Sequence, residues 1–188
     1  MNAALEARGI PPASVATMKP WMLATMVALP ACELARQSAG QPILDKKLAE
    51  DAQASGKALE GLETIAEQLG AMASLPMDFH MKGLVETLKL GDRMDDVIET
   101  MIVLYKAERV DMFWPLFRET LPQQAGDDGY AAFEQAMIRT RNRTMAERAG
   151  AVLSRGNAFI AVGALHLPGE EGLVELFRKA GFTVSAVE

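Results

Sequence analysis

Residues 159–172 read Phe-Ile-Ala-Val-Gly-Ala-Leu-His-Leu-Pro-Gly-Glu-Glu-Gly. Residues 158–162 contain no polar side chain, which is typical of a short strand covered on both faces. Gly163 ends this run, and His166 follows three residues later, before an expected helix N-terminus. Because α/β proteins tend to place ligand sites at the carboxyl ends of buried strands, the stretch predicts an imidazole in such a position.

The residues that follow are expected to complete a βαβ unit. Pro168 or Gly169 is expected to open a helix, Gly181 to end it, and residues 182–187 to form a last strand. A strand, a helix and a second strand in this order favour two parallel strands joined by the helix.

The first half of the chain predicts helices separated by prolines and glycines. Pro20 suits the first turn of a helix, and Pro30 should end or kink it. Thr64 and Glu67 have the spacing of a capping box at the start of a later helix. Residues 57–63 are a candidate strand, although Ala and Glu are poor strand formers.

Composition limits the fold and the partners. A hydrophobic content of 49% in 188 residues predicts one domain over residues 1–188 with a buried core. We expect an α/β fold, mostly helical, with a small central sheet and a C-terminal βαβ unit. The net charge of −6 argues against nucleic-acid binding. The single cysteine, Cys32, excludes an intrachain disulfide and a cysteine-based zinc cage.

His166 is the strongest candidate for chemistry, because the chain has only two histidines. A neutral imidazole between a strand end and a helix N-terminus is a good metal ligand, and the helix dipole opposes its protonation. Gly163 would let the backbone turn or let a ligand come close. The alternative is a structural histidine, since a lone Gly-x-x-His is common.

Several blocks closely resemble the TraB/GumN family, which includes the TraB, PrgY and Tiki types. The terminal block carries most of the resemblance, and the others resemble Lys-Pro-Trp, Leu-Glu-Thr and Arg-Asn segments of bacterial members. In chain order the blocks are residues 19–22, 56–64, 67–69, 141–146, 161–169, 172–173 and 180–184.

The resemblance implies a metal-dependent hydrolase. Tiki members are peptidases that use a divalent transition metal, and the family site takes two Gly-x-x-His motifs, a glutamate and an arginine. Gly163 and His166 match the second motif, which makes His166 a metal ligand. Glu63 matches the glutamate, as a metal ligand or the general base, and Arg141 matches the arginine that orients substrate. Glu63 as a solvated strand-end carboxylate and Arg141 as an ion-pairing surface arginine stay open as alternatives.

The first Gly-x-x-His motif has no counterpart in this chain, because His80 has no glycine three residues before it. The sequence is therefore expected to be the C-terminal part of a family domain that lacks its first portion. That portion would supply the other histidine, more strands and an export signal. The chain alone leaves the localisation unknown, and the cell envelope or periplasm is expected if such a signal precedes it.

Three hypotheses for function follow. The first is a metal-dependent hydrolase, with manganese or cobalt, or else zinc, acting on a peptide or small molecule and not on nucleic acid. The second is a non-catalytic regulatory module that binds a peptide or small ligand in a methionine-rich groove and holds no metal in this chain. The third is self-association through an exposed sheet edge.

Overall fold

The computed structural model describes residues 2–6, 10–120 and 126–187 of the chain. All regular secondary structure in these residues is helical. The α-helices are α1 (Asn2–Glu6), α2 (Pro12–Val15), α3 (Pro20–Ala28), α4 (Ala31–Ser38), α5 (Leu44–Ala54), α6 (Ile65–Ala73), α7 (Met77–Leu90), α8 (Arg93–Lys106), α9 (Phe113–Thr120), α10 (Gly126–Glu134), α11 (Thr140–Arg155) and α12 (Leu173–Lys179). Short 3-10 helices span Val110–Met112 and Ala164–His166, and a π-helical segment spans Gln135–Arg139.

The chain divides into two compact units, of which the first comprises Met1–Gly40 and Leu75–Ala131. Its core lies where α3 packs against α7. Leu23 and Val27 are buried because residues four apart lie on the same face of a helix. One cluster of buried core residues in this unit comprises Leu5, Val15, Leu23, Val27 and Leu84.

The second unit comprises Gln41–Ser74 and Ala132–Glu188. Here α11 packs against α12, and Met145, Ala149 and Leu173 are buried. The expectation of one domain over the whole chain stays a prediction. In the described part of the chain, no helix is long and apolar enough to cross a membrane.

The predicted α/β class, with its central sheet and βαβ unit, is wrong for the described residues, which contain no strand. Residues 158–162 make no backbone–backbone hydrogen bond among these residues. They are also not covered on both faces, since Phe159 is 80% exposed. Apolar character alone does not make a strand, because a strand also needs a neighbouring backbone to pair with its N–H and C=O groups.

The two other strand candidates differ from expectation for related reasons. Residues 57–63 form an irregular segment whose glutamates pair with arginines. Residues 183–187 find no backbone partner in the described chain, and Val187 is 96% exposed.

Several predicted helix ends are confirmed. Pro20 occupies the first turn of α3, and Pro30 separates α3 from α4. The capping box at α6 is complete, with Thr64 as N-cap and Glu67 as its partner. The predicted start of the last helix at Pro168 or Gly169 is wrong, because α12 begins at Leu173.

Candidate functional site

A partly buried ion pair joins Glu63 and Arg141 across 78 residues of sequence. Glu63 lies just before the N-cap of α6, and Arg141 lies in the first turn of α11. Arg141 Nε donates to Glu63 Oε1 at 2.9 Å, and Nη2 donates to Oε2 at 2.8 Å. The Arg141 and Glu63 side chains are 17% and 5% exposed. Because two parallel bonds fix the angle as well as the distance, the carboxylate and guanidinium hold one mutual geometry.

Two further arginines of α11 bind the same segment. Arg148 Nη1 donates to the carbonyl of Leu62 at 2.8 Å and to the carboxylate of Glu67 at 2.9 Å. Arg155 Nη2 donates to Glu60 Oε1 at 2.6 Å. The three arginines are seven residues apart, close to two helical turns, so they lie on one side of α11. Together they dock residues 60–67 along this helix.

His166 lies at the end of its 3-10 helix and is buried against α11. Its Nδ1 is 2.6 Å from Oδ1 of Asn142, which is fully buried. Asn142 Nδ2 donates to the carbonyl of Glu171 at 2.7 Å and to that of His166 at 3.3 Å. No hydrogen bond to His166 Nε2 is found among the described residues. One asparagine therefore holds the histidine ring and the loop that carries it.

The electrostatics of His166 link it to the ion pair. Burial lowers the pKa of His166 below its usual range, and the positive charge of Arg141 lowers it further. The negative charge of Glu63 acts in the opposite direction on the same pKa. Since burial and Arg141 both disfavour the imidazolium, the ring is expected to be neutral at neutral pH.

Gly163 leaves space beside the His166 ring. Its φ of −59° is open to any residue, so the backbone does not require glycine there. A Cβ added at Gly163 would lie 3.6 Å from His166 Cδ2, the ring carbon bonded to Nε2. Glycine therefore leaves this position beside the ring without a side chain, and close approach of a ligand there stays a prediction.

A sequence model of the TraB/PrgY/gumN family matches residues 1–186. The chain belongs to this family. The match confirms the resemblance that the sequence blocks predicted. Comparison with curated proteins and with solved structures finds no match for the chain.

In this TraB/PrgY/gumN-family chain, the residues proposed from sequence lie on adjoining parts of one unit. Arg141 is followed directly by the asparagine that holds His166, and Arg141 itself holds Glu63. His80 lies on α7 of the first unit, where its buried Nε2 lacks a hydrogen-bond partner in the described chain. No group of three His, Cys, Asp or Glu side chains in the described residues is arranged to hold a metal. The roles of His166, Glu63 and Arg141 in binding or catalysis stay predictions.

Sequence reasoning missed the part played by Asn142, which it treated only as part of a family block. A signal was present, because Asn142, Met145 and Ala149 form the buried stripe of α11 at spacings of three and four. A polar side chain on a buried helical stripe needs hydrogen-bond partners, since an unpartnered buried amide is costly. That these partners are the side chain of His166 and the backbone of His166 and Glu171 could not be predicted from the sequence.

Proposed function

We propose that this TraB/PrgY/gumN-family chain belongs to a metal-dependent hydrolase that acts on peptides. In this proposal His166 is a metal ligand through Nε2, Glu63 is a second ligand or the general base, and Arg141 orients the substrate. The observation that carries it is the buried His166 ring, whose Nε2 lacks a protein partner among the described residues.

The residues fit a divalent metal in part. Neutral imidazole and carboxylate are suitable ligands for manganese, cobalt or zinc. His166 also has the hydrogen bond on its other ring nitrogen that metal-binding histidines usually make. Catalytic sites commonly use three protein ligands. The described residues contain no group of three such side chains, so the proposal requires a further ligand outside them.

The chemistry assigned to the protein groups follows from their charges. When bound, the metal would polarise a carbonyl and make water more acidic. Arg141 has donors that suit a substrate carbonyl or carboxylate. A substrate that engages Arg141 would loosen its hold on Glu63, whose carboxylate would then be able to accept a proton. In this proposal the ion pair is the resting state of the two groups.

A non-catalytic binding module is the second candidate. It is favoured by the bidentate pairing of Glu63 with Arg141, which occupies both groups with each other. It is also favoured because no group of three side chains in the described residues is placed to hold a metal. In this case the apolar surface of the chain would bind a peptide or small ligand without hydrolysing it.

Calorimetric titration with manganese and cobalt separates the two candidates. The hydrolase proposal expects stoichiometric binding by the 188-residue chain that is lost in His166→Ala. His80→Gln alters the other histidine and serves as the matched control, with binding retained. Circular dichroism of each variant checks that it folds. Absence of metal binding by the wild-type chain supports the binding module instead.

Peptide hydrolysis tests the reaction itself. The intact protein, loaded with manganese or cobalt, is incubated with a broad peptide library, and cleavage is read by mass spectrometry. We expect cleavage that His166→Ala abolishes. No cleavage, together with metal binding that is unchanged in His166→Ala, would overturn the hydrolase proposal.

A further inference from the structure

We infer that Asn142 is a positioning residue that fixes His166 in the tautomer with its proton on Nδ1, so that Nε2 presents a lone pair to a ligand. The inference relies on the proposed function only for the use of that lone pair. The tautomer itself follows from hydrogen-bond geometry within one unit of the chain.

The orientation of the Asn142 amide is determined by two backbone carbonyls. One end of the amide lies 2.7 Å from the Glu171 carbonyl oxygen and 3.3 Å from that of His166. A carbonyl oxygen only accepts hydrogen bonds, so the group facing both carbonyls must be the NH₂. The opposite orientation would place three acceptor oxygens together in a buried site. The amide oxygen, Oδ1, must therefore face the imidazole.

The protonation of the ring follows from that orientation. Oδ1 only accepts, and it lies 2.6 Å from His166 Nδ1. A contact of this length is a hydrogen bond only if Nδ1 carries the proton. In the neutral ring the single proton is then on Nδ1, and Nε2 is an acceptor.

The surroundings of Nε2 suit a ligand better than a purely structural role. No described residue donates to Nε2, although His166 is only 7% exposed. Gly163 leaves the adjacent edge of the ring free of a side chain. His166 Nε2 is not sealed inside the fold, because His80 Nε2 is the one described side-chain atom that is both buried and without a partner. A metal ion uses such a lone pair, and an asparagine behind the ring would orient it.

Nitrogen-15 NMR of the metal-free, full-length chain tests the inference without any assay of activity. The chain has two histidines, so His80→Gln assigns the His166 signals. At mildly alkaline pH we expect a protonated Nδ1 and an unprotonated Nε2 in the wild type. A wild-type spectrum with the proton on Nε2 would overturn the inference whatever the variants do.

A matched set of variants separates positioning from packing. Asn142→Leu preserves much of the side-chain volume and removes the acceptor, so the tautomer should become mixed and cobalt affinity should fall about 10- to 100-fold. Met145→Leu changes another buried residue of α11 and should leave the tautomer unchanged. A folded Asn142→Leu chain that keeps the pure Nδ1–H tautomer would contradict the inference.

The two proposals fail in different ways. A wild-type chain with the Nδ1–H tautomer that binds no manganese or cobalt supports the role of Asn142 and contradicts the hydrolase proposal. A chain that binds metal with the Nε2–H tautomer in its metal-free form contradicts the role of Asn142 and leaves the hydrolase proposal standing.

Discussion

Gly172 occupies the most crowded backbone position among the described glycines. A Cβ there would lie 2.2 Å from the carbonyl oxygen of Leu167 and 2.3 Å from that of Pro168. The clash is with backbone, which cannot rotate away as a flexible side chain does. The loop that carries His166 therefore closes on itself only because residue 172 has no side chain.

We predict that Gly172→Ala destabilises the protein by about 1–3 kcal/mol, because the backbone of this loop must shift to admit a methyl group. Urea unfolding followed by circular dichroism measures the change. Gly163→Ala is the matched control, since its Cβ would make only an ordinary contact with His166 Cδ2. Equal unfolding midpoints for Gly172→Ala and the wild type would contradict the prediction.

We also predict a large loss of stability when the Glu63–Arg141 pair is broken on one side. Arg141→Met should cost about 3–5 kcal/mol, because it leaves a buried carboxylate without its counter-charge. Arg155→Met removes an arginine that is 58% exposed from a similar pair and should cost at most about 1 kcal/mol. Denaturant unfolding measures the loss of unfolding free energy in each variant. Equal losses in Arg141→Met and Arg155→Met would contradict the prediction.

The first turn of α6 shows how far local sequence determines an element. Thr64 donates its main-chain N–H to Glu67 Oε2 at 2.7 Å, and Thr64 Oγ1 accepts from the Glu67 N–H at 3.1 Å. Both partners lie within four residues, so the pattern alone was enough to predict the contact. Asp92 is the N-cap of α8, but its side chain makes no capping hydrogen bond there.

The charge of Glu67 gives α6 a pH dependence. Hydrogen bonds from Arg148 and then from Thr64 lower the pKa of Glu67 from 4.5 to about 2. The stabilisation is therefore complete above the unfolded value of 4.5 and is lost as the pH falls toward 2. Glu67→Gln keeps the capping contact and removes the charge. We predict that it lowers the free energy of unfolding at neutral pH.

A pH series of denaturant unfolding checks this prediction. The difference between wild type and Glu67→Gln should shrink steadily below the unfolded pKa of 4.5. Arg148→Met should reduce the same difference at neutral pH, since Arg148 is the largest cause of the shift. If the difference in unfolding free energy between wild type and Glu67→Gln stayed constant from neutral to acidic pH, the charge of Glu67 would not be its cause.

The segment of residues 158–162 was the least predictable element, because its state depends on a partner that its own sequence does not contain. Its apolar composition fits a buried strand, yet the 80% exposure of Phe159 places that side chain in solvent. We predict that Phe159→Ser changes stability by no more than about 0.5 kcal/mol, as for other surface positions. Met145→Ala, at a buried position, should cost about 2–5 kcal/mol.

Thermal and denaturant unfolding of these two variants compares the interpretations directly. A loss of several kcal/mol in Phe159→Ser would mean that the side chain is buried, contrary to its exposure in the structure. A near-neutral Phe159→Ser beside a destabilised Met145→Ala would support an exposed position for Phe159.

At the scale of the whole molecule, family membership was predictable and fold class was not. The blocks that indicate the family are runs of neighbouring residues that can be read one at a time. A sheet, in contrast, depends on pairing between distant segments. The site was intermediate: Glu63, Arg141 and His166 were named from their blocks, whereas the bonds made by Asn142 depend on folding.

The helical architecture predicts the far-ultraviolet circular dichroism of the full chain. We expect a spectrum dominated by helix, because the described residues contain twelve α-helices and no strand. A fitted strand content of about 20–25%, the average for globular proteins, would contradict this architecture. Infrared spectroscopy in the amide I region provides an independent check.

The arginine spacing on α11 also restricts how the length of this helix can change. Each added residue would turn the rest of the helix by about 100°. One residue inserted between Arg141 and Arg148 would leave Arg141 on Glu63 and swing Arg148 and Arg155 away from their carboxylates. An insertion of seven residues would nearly restore the directions of the Arg148 and Arg155 side chains, but it would shift both along the helix axis. A surface loop can accommodate a short insertion or deletion. In α11 such a change would break the ion pairs of Arg148 and Arg155.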